Sequence, residues 1–332
     1  MLIIYHIPPK HNILLNKLCY NKTMEVLYII IIFYVGACIG SFLCCQARRL
    51  HYREESKGKR SHKLGRRSVC MNCKKQLKWY DNIPILSWLS LRGHCRYCHK
   101  KIGIAELISE LGTGIALSVL AISFHHSICS TSPTPFGIFP AIDPTSSFCP
   151  VSPPIILSLI FALILTLTLV FLAIYDGIYG ELPTTCLIIA IMCSVAMVIT
   201  RSLTTSFFSA PYPITDPIFS ACILGGIYLL LYLISKGSWV GDGDWLLGVA
   251  IAFALGTPWL ALIVLFLANS LACLIMYPLI KLAKPTKSSK TKASKSQSII
   301  SHTSHKIHLG PFLVTAYLVV FAFYSQLTNL LN

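Results

Sequence analysis

The sequence predicts an all-α polytopic membrane protein with about eight transmembrane helices and a small cytoplasmic lobe. Two properties of the composition favour this fold: 55% of the 332 residues are hydrophobic and only 12% are charged. Soluble domains carry about 25% charged residues. A chain this apolar cannot cover its surface in water, so most of it is expected in lipid, which excludes a secreted disulfide scaffold and a soluble cytosolic enzyme.

The lysines and arginines are concentrated in two segments, which sets the expected orientation. Of 28 such residues, 16 lie in 45–103 and 7 in 281–308, whereas Arg201 is the only one in 102–235. Positive charge collects in the cytoplasmic loops of membrane proteins, so both segments are expected at the cytoplasmic face. The placement of these basic segments beside the membrane accounts for the net charge of +16. The sequence therefore predicts contact with membrane lipid and no nucleic-acid partner.

Several apolar runs are long enough to cross a bilayer, which takes about 20 residues. Six of them lie at roughly 24–44, 104–123, 155–175, 183–200, 216–235 and 309–328. The run at 245–280 is too long for one crossing and is interrupted by Gly256-Thr257-Pro258. We interpret it as two crossings, the first of them short, because eight crossings place both basic segments on the same side and seven do not.

These spans divide the chain into expected units. They are a possible N-terminal extension at 1–23, a first transmembrane helix at 24–44, a cytoplasmic lobe at 45–103 and a membrane domain with about seven further spans at 104–332. Within the last unit, 124–154 is expected as an outer loop and 281–308 as a basic cytoplasmic loop. Cys129 and Cys149 in the outer loop form a disulfide or remain two thiols, and the start of the chain is expected at Met1 or Met24.

Four of the 14 cysteines have the spacing of a metal site. Cys70-x-x-Cys73 and Cys95-x-x-Cys98 are separated by 21 residues, so four thiolates can surround one zinc ion tetrahedrally. A disulfide framework is not expected on the reducing side of a membrane, and the alternative is a metal-free loop that keeps the spacing. With all four positions filled by sulfur the metal is structural, and the sequence predicts a small cytoplasmic zinc-binding lobe.

Two aspartates stand at the ends of apolar runs. Asp176 ends the third predicted span, and Asp244 closes Gly241-Asp242-Gly243-Asp244 and opens the sixth. In the eight-crossing layout both lie at the cytoplasmic edge, where two carboxyl groups brought together share a proton. One can then act as a base on water and the other as an acid toward a carbonyl oxygen, which predicts peptide-bond hydrolysis. Gly241 and Gly243 are expected to let a substrate strand approach closely.

Three other interpretations stay open from the residues alone. Asp176 can be a solvated residue at a helix end, and Asp244 can be the N-cap of the next helix. An ion-coupled membrane transporter also uses such acids, but nearer the middle of the bilayer. A non-catalytic zinc-bearing scaffold of a pilus or secretion assembly needs the cysteines and not the aspartates.

Six groups of residues form recognisable motifs. They are 36–43 with Arg49-Leu50, 80–89 with Leu91-Arg92-Gly93 and the second cysteine pair, Glu110 with Thr113-Gly114, Asp176 with Leu182-Pro183, Gly241-Asp242-Gly243-Asp244, and 310–313. Together they resemble the motifs of the bacterial type IV prepilin peptidase family of GxGD-type membrane aspartic proteases. Three features differ from the family pattern: Thr184 replaces an aspartate, Leu246 replaces a lysine, and Cys44-Cys45-Gln46 replaces an asparagine-led triplet.

The resemblance implies an aspartic endopeptidase that cleaves the basic leader from type IV prepilin or pseudopilin precursors, after a glycine. It implies Asp176 and Asp244 as the catalytic pair and zinc on the four cysteines. It also implies a multi-pass protein of the bacterial cytoplasmic (inner) membrane whose active site faces the cytoplasm. Many members of the family then methylate the new N-terminus with S-adenosylmethionine, and the change at Cys44-Cys45-Gln46 leaves this second activity open here.

Overall fold

The computed structural model describes residues 22–55, 68–70, 72–73, 75–129, 153–206, 215–283 and 308–331. Within these residues there are ten α-helices and no β-strand, which confirms the all-α prediction. The helices are α1 (Lys22–Glu55), α2 (Leu86–Ser90), α3 (Ile104–Cys129), α4 (Pro153–Tyr179), α5 (Thr184–Ser206), α6 (Thr215–Ser235), α7 (Asp244–Leu255), α8 (Pro258–Ala283), α9 (Gly310–Ala322) and α10 (Tyr324–Leu331). One 3₁₀ turn, Trp79–Asn82, precedes α2.

Parts of four expected features lie outside the described residues. They are nearly all of the N-terminal extension, most of the outer loop with Cys149, the side chain of Cys129, and most of the basic loop at 281–308. The proposed pairing of Cys129 with Cys149 and the lipid contacts of the basic loop therefore stay predictions.

Six helices are long and apolar enough to cross a bilayer, namely α1, α3, α4, α5, α6 and α8. Their outward faces carry large apolar side chains, such as Ile108, Phe219 and Phe266, which are 63%, 62% and 75% exposed. Such surfaces are stable against lipid and not against water. The chain is therefore a membrane protein, whereas the number of crossings stays a prediction because α7 and α9 are shorter.

The helix α7 is enclosed by other helices and ends where the sequence predicts a break. Its 12 residues span about 18 Å, against a hydrocarbon core of about 30 Å. Leu247 and Ile251 are fully buried, and α5, α6 and α9 pack around them. Gly256 terminates the helix in the left-handed conformation, with φ of 74°, and Pro258 begins α8.

Two boundaries differ from the predicted spans. The helix α1 continues to Glu55, eleven residues past the expected end of the first crossing, because the polar residues that follow still favour a helix. The predicted run at 309–328 is divided at Phe323 into α9 and α10. The exposed polar residue Gln326 of α10 does not continue the apolar surface of α9.

The helices α1 and α3 pack closely and carry the cysteine lobe at one end. Gly36 faces Gly114, and a Cβ atom on Gly36 would lie 2.8 Å from the Cα of Gly114. Small residues spaced in this way let two membrane helices approach closely. The segment between α1 and α3, which holds the four cysteines, returns the chain to the same end of the bundle.

Candidate active site and metal centre

The structure brings Asp176 and Asp244 together at one end of the bundle. Asp176 lies in the last turn of α4 and Asp244 is the first residue of α7, and each residue is only 4% exposed. The Oδ2 atom of Asp176 accepts a hydrogen bond of 2.9 Å from the backbone N–H of Gly310, and that of Asp244 accepts one of 2.9 Å from Gly241. The two carboxyl groups also interact electrostatically with each other. They are therefore neighbours in space although they are 68 positions apart in the chain.

The start of α9 is fitted to Asp176. A Cβ atom on Gly310 would lie 2.7 Å from the Oδ2 atom of Asp176, so a larger residue could not occupy this position without displacement. Pro311 follows in the first turn, where its missing N–H costs no helix hydrogen bond. The positive end of the α9 dipole thus lies against this carboxyl group. His308 adds a basic side chain, with its Nδ1 atom 3.7 Å from the Oδ1 atom of Asp176.

The glycines predicted to form the active-site loop have identifiable contacts. Gly241 donates to Asp244, and the position of a Cβ atom on it lies 3.2 Å from the Oδ2 atom of that residue. A Cβ atom on Gly243 would lie 2.8 Å from the Cβ of Leu182 in the α4–α5 connection. The loop is thus packed against the segment that follows Asp176. Its expected contact with a substrate strand stays a prediction.

The end of α4 is joined to the end of α1 next to this pair. The hydroxyl of Tyr175 donates a hydrogen bond of 3.1 Å to the Oε2 atom of Glu54. The ring of Tyr179 stacks on that of His51, with centroids 3.8 Å apart. Tyr179 also lines the same cavity as Cys70 and Cys95. The two aspartates and the four cysteines therefore lie at the same end of the protein.

The four predicted metal ligands form one cluster. The Sγ atoms of Cys70, Cys73, Cys95 and Cys98 all lie within 4.8 Å of one another, and those of Cys70 and Cys98 are 3.9 Å apart. Four sulfurs bound to zinc at about 2.3 Å occupy the corners of a tetrahedron whose edges are about 3.8 Å. The cluster therefore fits a tetrahedral ion of this size and could hold a metal such as zinc.

Both cysteine pairs lie in the same kind of turn, which explains how they form one site. The backbone N–H of Cys70 donates to the carbonyl of Lys75 at 2.9 Å, and that of Cys95 donates to the carbonyl of Lys100 at 2.9 Å. In each pair the acceptor is two residues beyond the second cysteine. Two equivalent turns thus present two sulfurs each from opposite sides of the cluster.

The environment of Cys70 favours the thiolate that a metal requires. Burial raises the pKa of this thiol, but hydrogen bonds from the backbone of Cys73 and Asn72 outweigh it and lower the pKa to about 6. Metal ions bind the deprotonated form of cysteine.

One polar contact holds the lobe against the membrane helices, and an ion pair beside it joins two of these helices to each other. Arg48 of α1 forms that ion pair with Glu106 of α3. The backbone N–H of Ile85 donates a hydrogen bond of 2.6 Å to the Oε2 atom of Glu110. Glu110 lies six residues after the start of α3, or about 9 Å along the helix axis. The lobe therefore contacts α3 beyond its first turn.

Sequence reasoning did not identify several residues next to the aspartates. It found Gly310 only as part of a motif, and it gave no role to His308, Tyr175 or His51. Gly310-Pro311 at the start of an apolar run is a recognisable helix start, and that signal could have indicated a helix N-terminus for one carboxyl group. The contacts of Tyr175 and His51 join segments more than 120 residues apart, and no local pattern reports them.

Residues 34–124 match the family model of the bacterial peptidase A24 N-terminal domain, which comprises most of α1, the cysteine lobe and most of α3. The resemblance to the prepilin peptidase family is confirmed for this part of the chain. A prepilin leader peptidase/N-methyltransferase of Vibrio cholerae is 37% identical over 89 residues, which are 26% of this chain and 35% of that protein. That of Myxococcus xanthus is 37% identical over 89 residues, or 27% of this chain and 24% of the relative.

A third relative, from Escherichia coli O78:H11, has the name "Type 4 prepilin-like proteins leader peptide-processing enzyme". It is 39% identical over 61 residues, which are 18% of this chain and 23% of the relative. The aligned segments thus span about a third or less of these prepilin peptidase relatives. No solved structure matches the chain.

Proposed function

We propose that this protein is a membrane-embedded aspartic endopeptidase that removes the basic leader from type IV prepilin-like precursors at the cytoplasmic face of the membrane. The observation that supports it most is the pairing of two buried carboxyl groups, Asp176 and Asp244, at one end of a membrane bundle. Both residues match motifs that resemble those of the prepilin peptidase family. The names of the relatives from Vibrio cholerae and Escherichia coli support the same class of substrate.

The chemistry follows from the shared proton of such a pair. We expect two neighbouring carboxyl groups not to ionise together, so that one is a carboxylate and the other a neutral acid. The carboxylate takes a proton from a water molecule, which attacks the peptide carbonyl, and the acid protonates the carbonyl oxygen. The C–N bond then breaks and the leaving amine takes a proton from the pair. Backbone N–H groups of Gly310 and Gly241 hold one oxygen of each carboxyl, which leaves the other oxygen for proton transfer.

The expected substrate suits the depth of the aspartates. A prepilin-like precursor has a basic leader followed by a long apolar helix, so its cleavage point lies at the membrane edge. Asp176 ends a lipid-exposed helix and Asp244 begins an enclosed one, at the end of the bundle that carries the basic lobe. The positive-inside rule assigns this end to the cytoplasm. The protein therefore lies in the bacterial cytoplasmic membrane, with the two aspartates facing the cytoplasm.

We also propose that Cys70, Cys73, Cys95 and Cys98 bind one structural zinc ion. The cluster leaves no ligand position for water, so the metal would hold the lobe together and take no part in hydrolysis. A second activity, methylation of the new N-terminus with S-adenosylmethionine, is supported by the names of the relatives.

Replacement of each aspartate tests the peptidase. Asp176→Asn and Asp244→Asn keep the shape of the side chain but remove the titrating group, so each is expected to lower cleavage of a prepilin-like precursor at least about 1000-fold. The measurement is the rate of leader removal by purified protein in detergent or nanodiscs. Asp242→Asn is the matched control, because Asp242 is exposed in the same loop, and normal cleavage is expected. Normal cleavage by either Asp176→Asn or Asp244→Asn would show that the pair is not catalytic.

Two other functions give different results. An ion-coupled transporter holds its acids near mid-membrane, whereas these aspartates stand at helix ends, and it would show substrate flux in sealed vesicles. A non-catalytic zinc-bearing scaffold would keep its full function with both aspartates replaced and lose it when Cys70 or Cys95 is replaced.

A further inference from the structure

The cysteine lobe exposes large apolar side chains on one face of α2. Leu86 and Leu89 are 57% and 55% exposed, and their spacing of three residues places them on the same side of this short helix. Trp88 packs into the lobe instead, since a Cβ atom on Gly93 would lie 2.8 Å from its ring. Exposed leucines are unfavourable in water, so a partner is expected to cover this face.

The start of α2 lies beside the apolar part of the membrane helices. The N–H of Ile85, the residue before α2, donates its hydrogen bond to Glu110 in the second turn of α3. On α1, Gly40 is at the same level, because a Cβ atom on it would lie 3.0 Å from the Cα of Glu110. Gly40 belongs to the apolar run 24–44, and Glu110 to the candidate span Ile104–Phe124. Ile85 therefore lies beside two membrane-spanning segments and not beyond their ends.

The outward face of α3 at this level is apolar and belongs to the surface of a membrane helix. Ile104, its first residue, is 61% exposed, and Ile108 one turn further along is exposed as well. Leu86 follows directly after Ile85, whose N–H is bonded to α3. The exposed leucines of α2 therefore lie at a level where lipid already covers α3.

The charges around α2 indicate the headgroups that suit it. Residues 68–103 contain seven Lys and Arg and a single acidic residue, Asp81, which is bonded to Arg96 at 2.8 Å. Trp79, in the 3₁₀ turn before α2, is 79% exposed, and Lys78 beside it is exposed as well. Tryptophan and basic side chains are typical of the boundary between lipid and water, and anionic headgroups attract basic segments beside a membrane.

We propose that α2 anchors the cysteine lobe in the boundary of the bilayer, with Leu86 and Leu89 among acyl chains and Lys78 and Trp79 among anionic phospholipid headgroups. The inference goes beyond the proposed function and does not depend on it. The bond from Ile85 to Glu110 and the lipid then hold α2 from two sides.

Two proteins are alternative partners for the same leucines, and the charge of the lobe opposes both. The basic leader of a prepilin-like precursor would be repelled by the excess of Lys and Arg in 68–103. A second copy of the chain would bring the same positive charge to the contact. An anionic phospholipid is complementary to the lobe in charge and to α2 in its apolar face.

Lipid contact is measured directly with the whole protein in nanodiscs that contain a phospholipid with a photoreactive diazirine in its acyl chain. After irradiation, mass spectrometry locates the residues that carry lipid adducts. Adducts are expected at 86–89 with a yield within about threefold of that at 104–108, because both segments lie at the same level of the bilayer. Leu86→Gln combined with Leu89→Gln is expected to lower the yield at 86–89 at least about fivefold, since α2 loses its apolar face.

The matched control replaces two exposed leucines of α6 that have the same spacing. Leu230→Gln combined with Leu233→Gln is expected to leave the yield at 86–89 as in the wild type. Zinc content shows whether the lobe of each variant is folded, and the wild-type adducts decide the question if the variant of α2 is not. Adducts at 104–108 without adducts at 86–89 would overturn the assignment.

The headgroup contact is tested by amide hydrogen exchange of α2 in bilayers with and without about 30% phosphatidylglycerol. Exchange at 86–90 is expected to be at least about threefold slower with the anionic lipid, and equal exchange in the two bilayers would overturn the role of the headgroups. Adducts at 86–89 that disappear when a prepilin-like precursor is added would assign the face to the substrate instead of lipid. A cross-link between two chains through 86–89 would assign it to a second copy and overturn the proposal equally.

Discussion

The cysteine lobe and the aspartate pair lie at the same end of the protein but are held by different forces. Described residues of the lobe form only short turns and one five-residue helix, and Cys95 is one of its few buried apolar side chains. The aspartates are held by helices of the bundle, whose core residues such as Leu172 and Leu247 are completely buried. The lobe is too small to bury a core of its own, so its order is expected to come from a metal, whereas the aspartates depend on helix packing.

This difference means that the two regions should fail separately. Loss of the metal is expected to unfold the lobe without melting the bundle, and small changes in helix packing are expected to disable the aspartates without releasing the metal. Three substitutions test this separation, from the largest expected effect to the smallest.

Cys95→Ser is expected to have the largest effect. With one sulfur of four removed, bound zinc should fall from about one equivalent per chain to less than about a tenth, because the closed tetrahedral site loses a ligand. Metal analysis of the purified protein and limited proteolysis of the lobe measure the loss. Cys222→Ser, at an exposed cysteine of α6, is the matched control and should keep the metal. Unchanged zinc content in Cys95→Ser would contradict a lobe whose order comes from a metal bound by these four cysteines.

Gly310→Ala is expected to act on the aspartates alone. Its methyl group would occupy space 2.7 Å from the Oδ2 atom of Asp176 and shift the carboxyl group or α9. Since a displacement of about 1 Å can cost about 100-fold in rate, cleavage of a prepilin-like precursor should fall about 10- to 100-fold with zinc content unchanged. Gly226→Ala in α6 is the control, because nothing lies within 4 Å of the added atom. Equal rates for the two variants would show that the start of α9 does not position Asp176.

Glu110→Gln is expected to have the smallest effect, at the junction of the two regions. It weakens the hydrogen bond from the Ile85 N–H, and bonds to charged groups contribute about 1.5–3 kcal/mol. Amide hydrogen exchange at 85–89 should accelerate about tenfold while exchange in α7 stays slow. Asp216→Asn, at the start of α6, should leave both rates as they are. Faster exchange throughout α7 would mean that the lobe and the bundle are one cooperative unit.

Much of the fold and of the candidate site could be predicted from the sequence because the signals are local. The interruption at Gly256 and the spacing of the four cysteines each lie within a few residues of the structure they specify, and both are found as expected. Asp176 and Asp244 were identified by their rarity, since an acid at the end of an apolar run is costly without a role.

The remaining features depend on contacts between distant segments. The bond from Gly310 to Asp176 and the bond from Tyr175 to Glu54 each join segments more than 120 residues apart. No periodicity or motif spacing encodes which helices become neighbours, so these partners could be found only from the folded chain. A cavity of about 510 Å³ between the cysteine lobe and the ends of α1 and α3 is equally invisible in the sequence, because its wall comes from three separate segments of the chain.

The junction at Ile85 has a consequence for how the lobe leaves the bundle. Ile85 has φ of 62° and ψ of −54°, and the N–H of Leu86 donates to the carbonyl of Pro84, so the chain makes a γ-turn with positive φ. This turn is rare and strained, and a β-branched residue makes it more so, at a cost of about 1–3 kcal/mol. The bond from Ile85 to Glu110 therefore offsets strain as well as adding attraction. Once this hydrogen bond opens, the turn at Ile85 relaxes, and the relaxed turn opposes re-formation of the bond. The lobe is therefore expected to alternate between a docked and an undocked state, without intermediate positions.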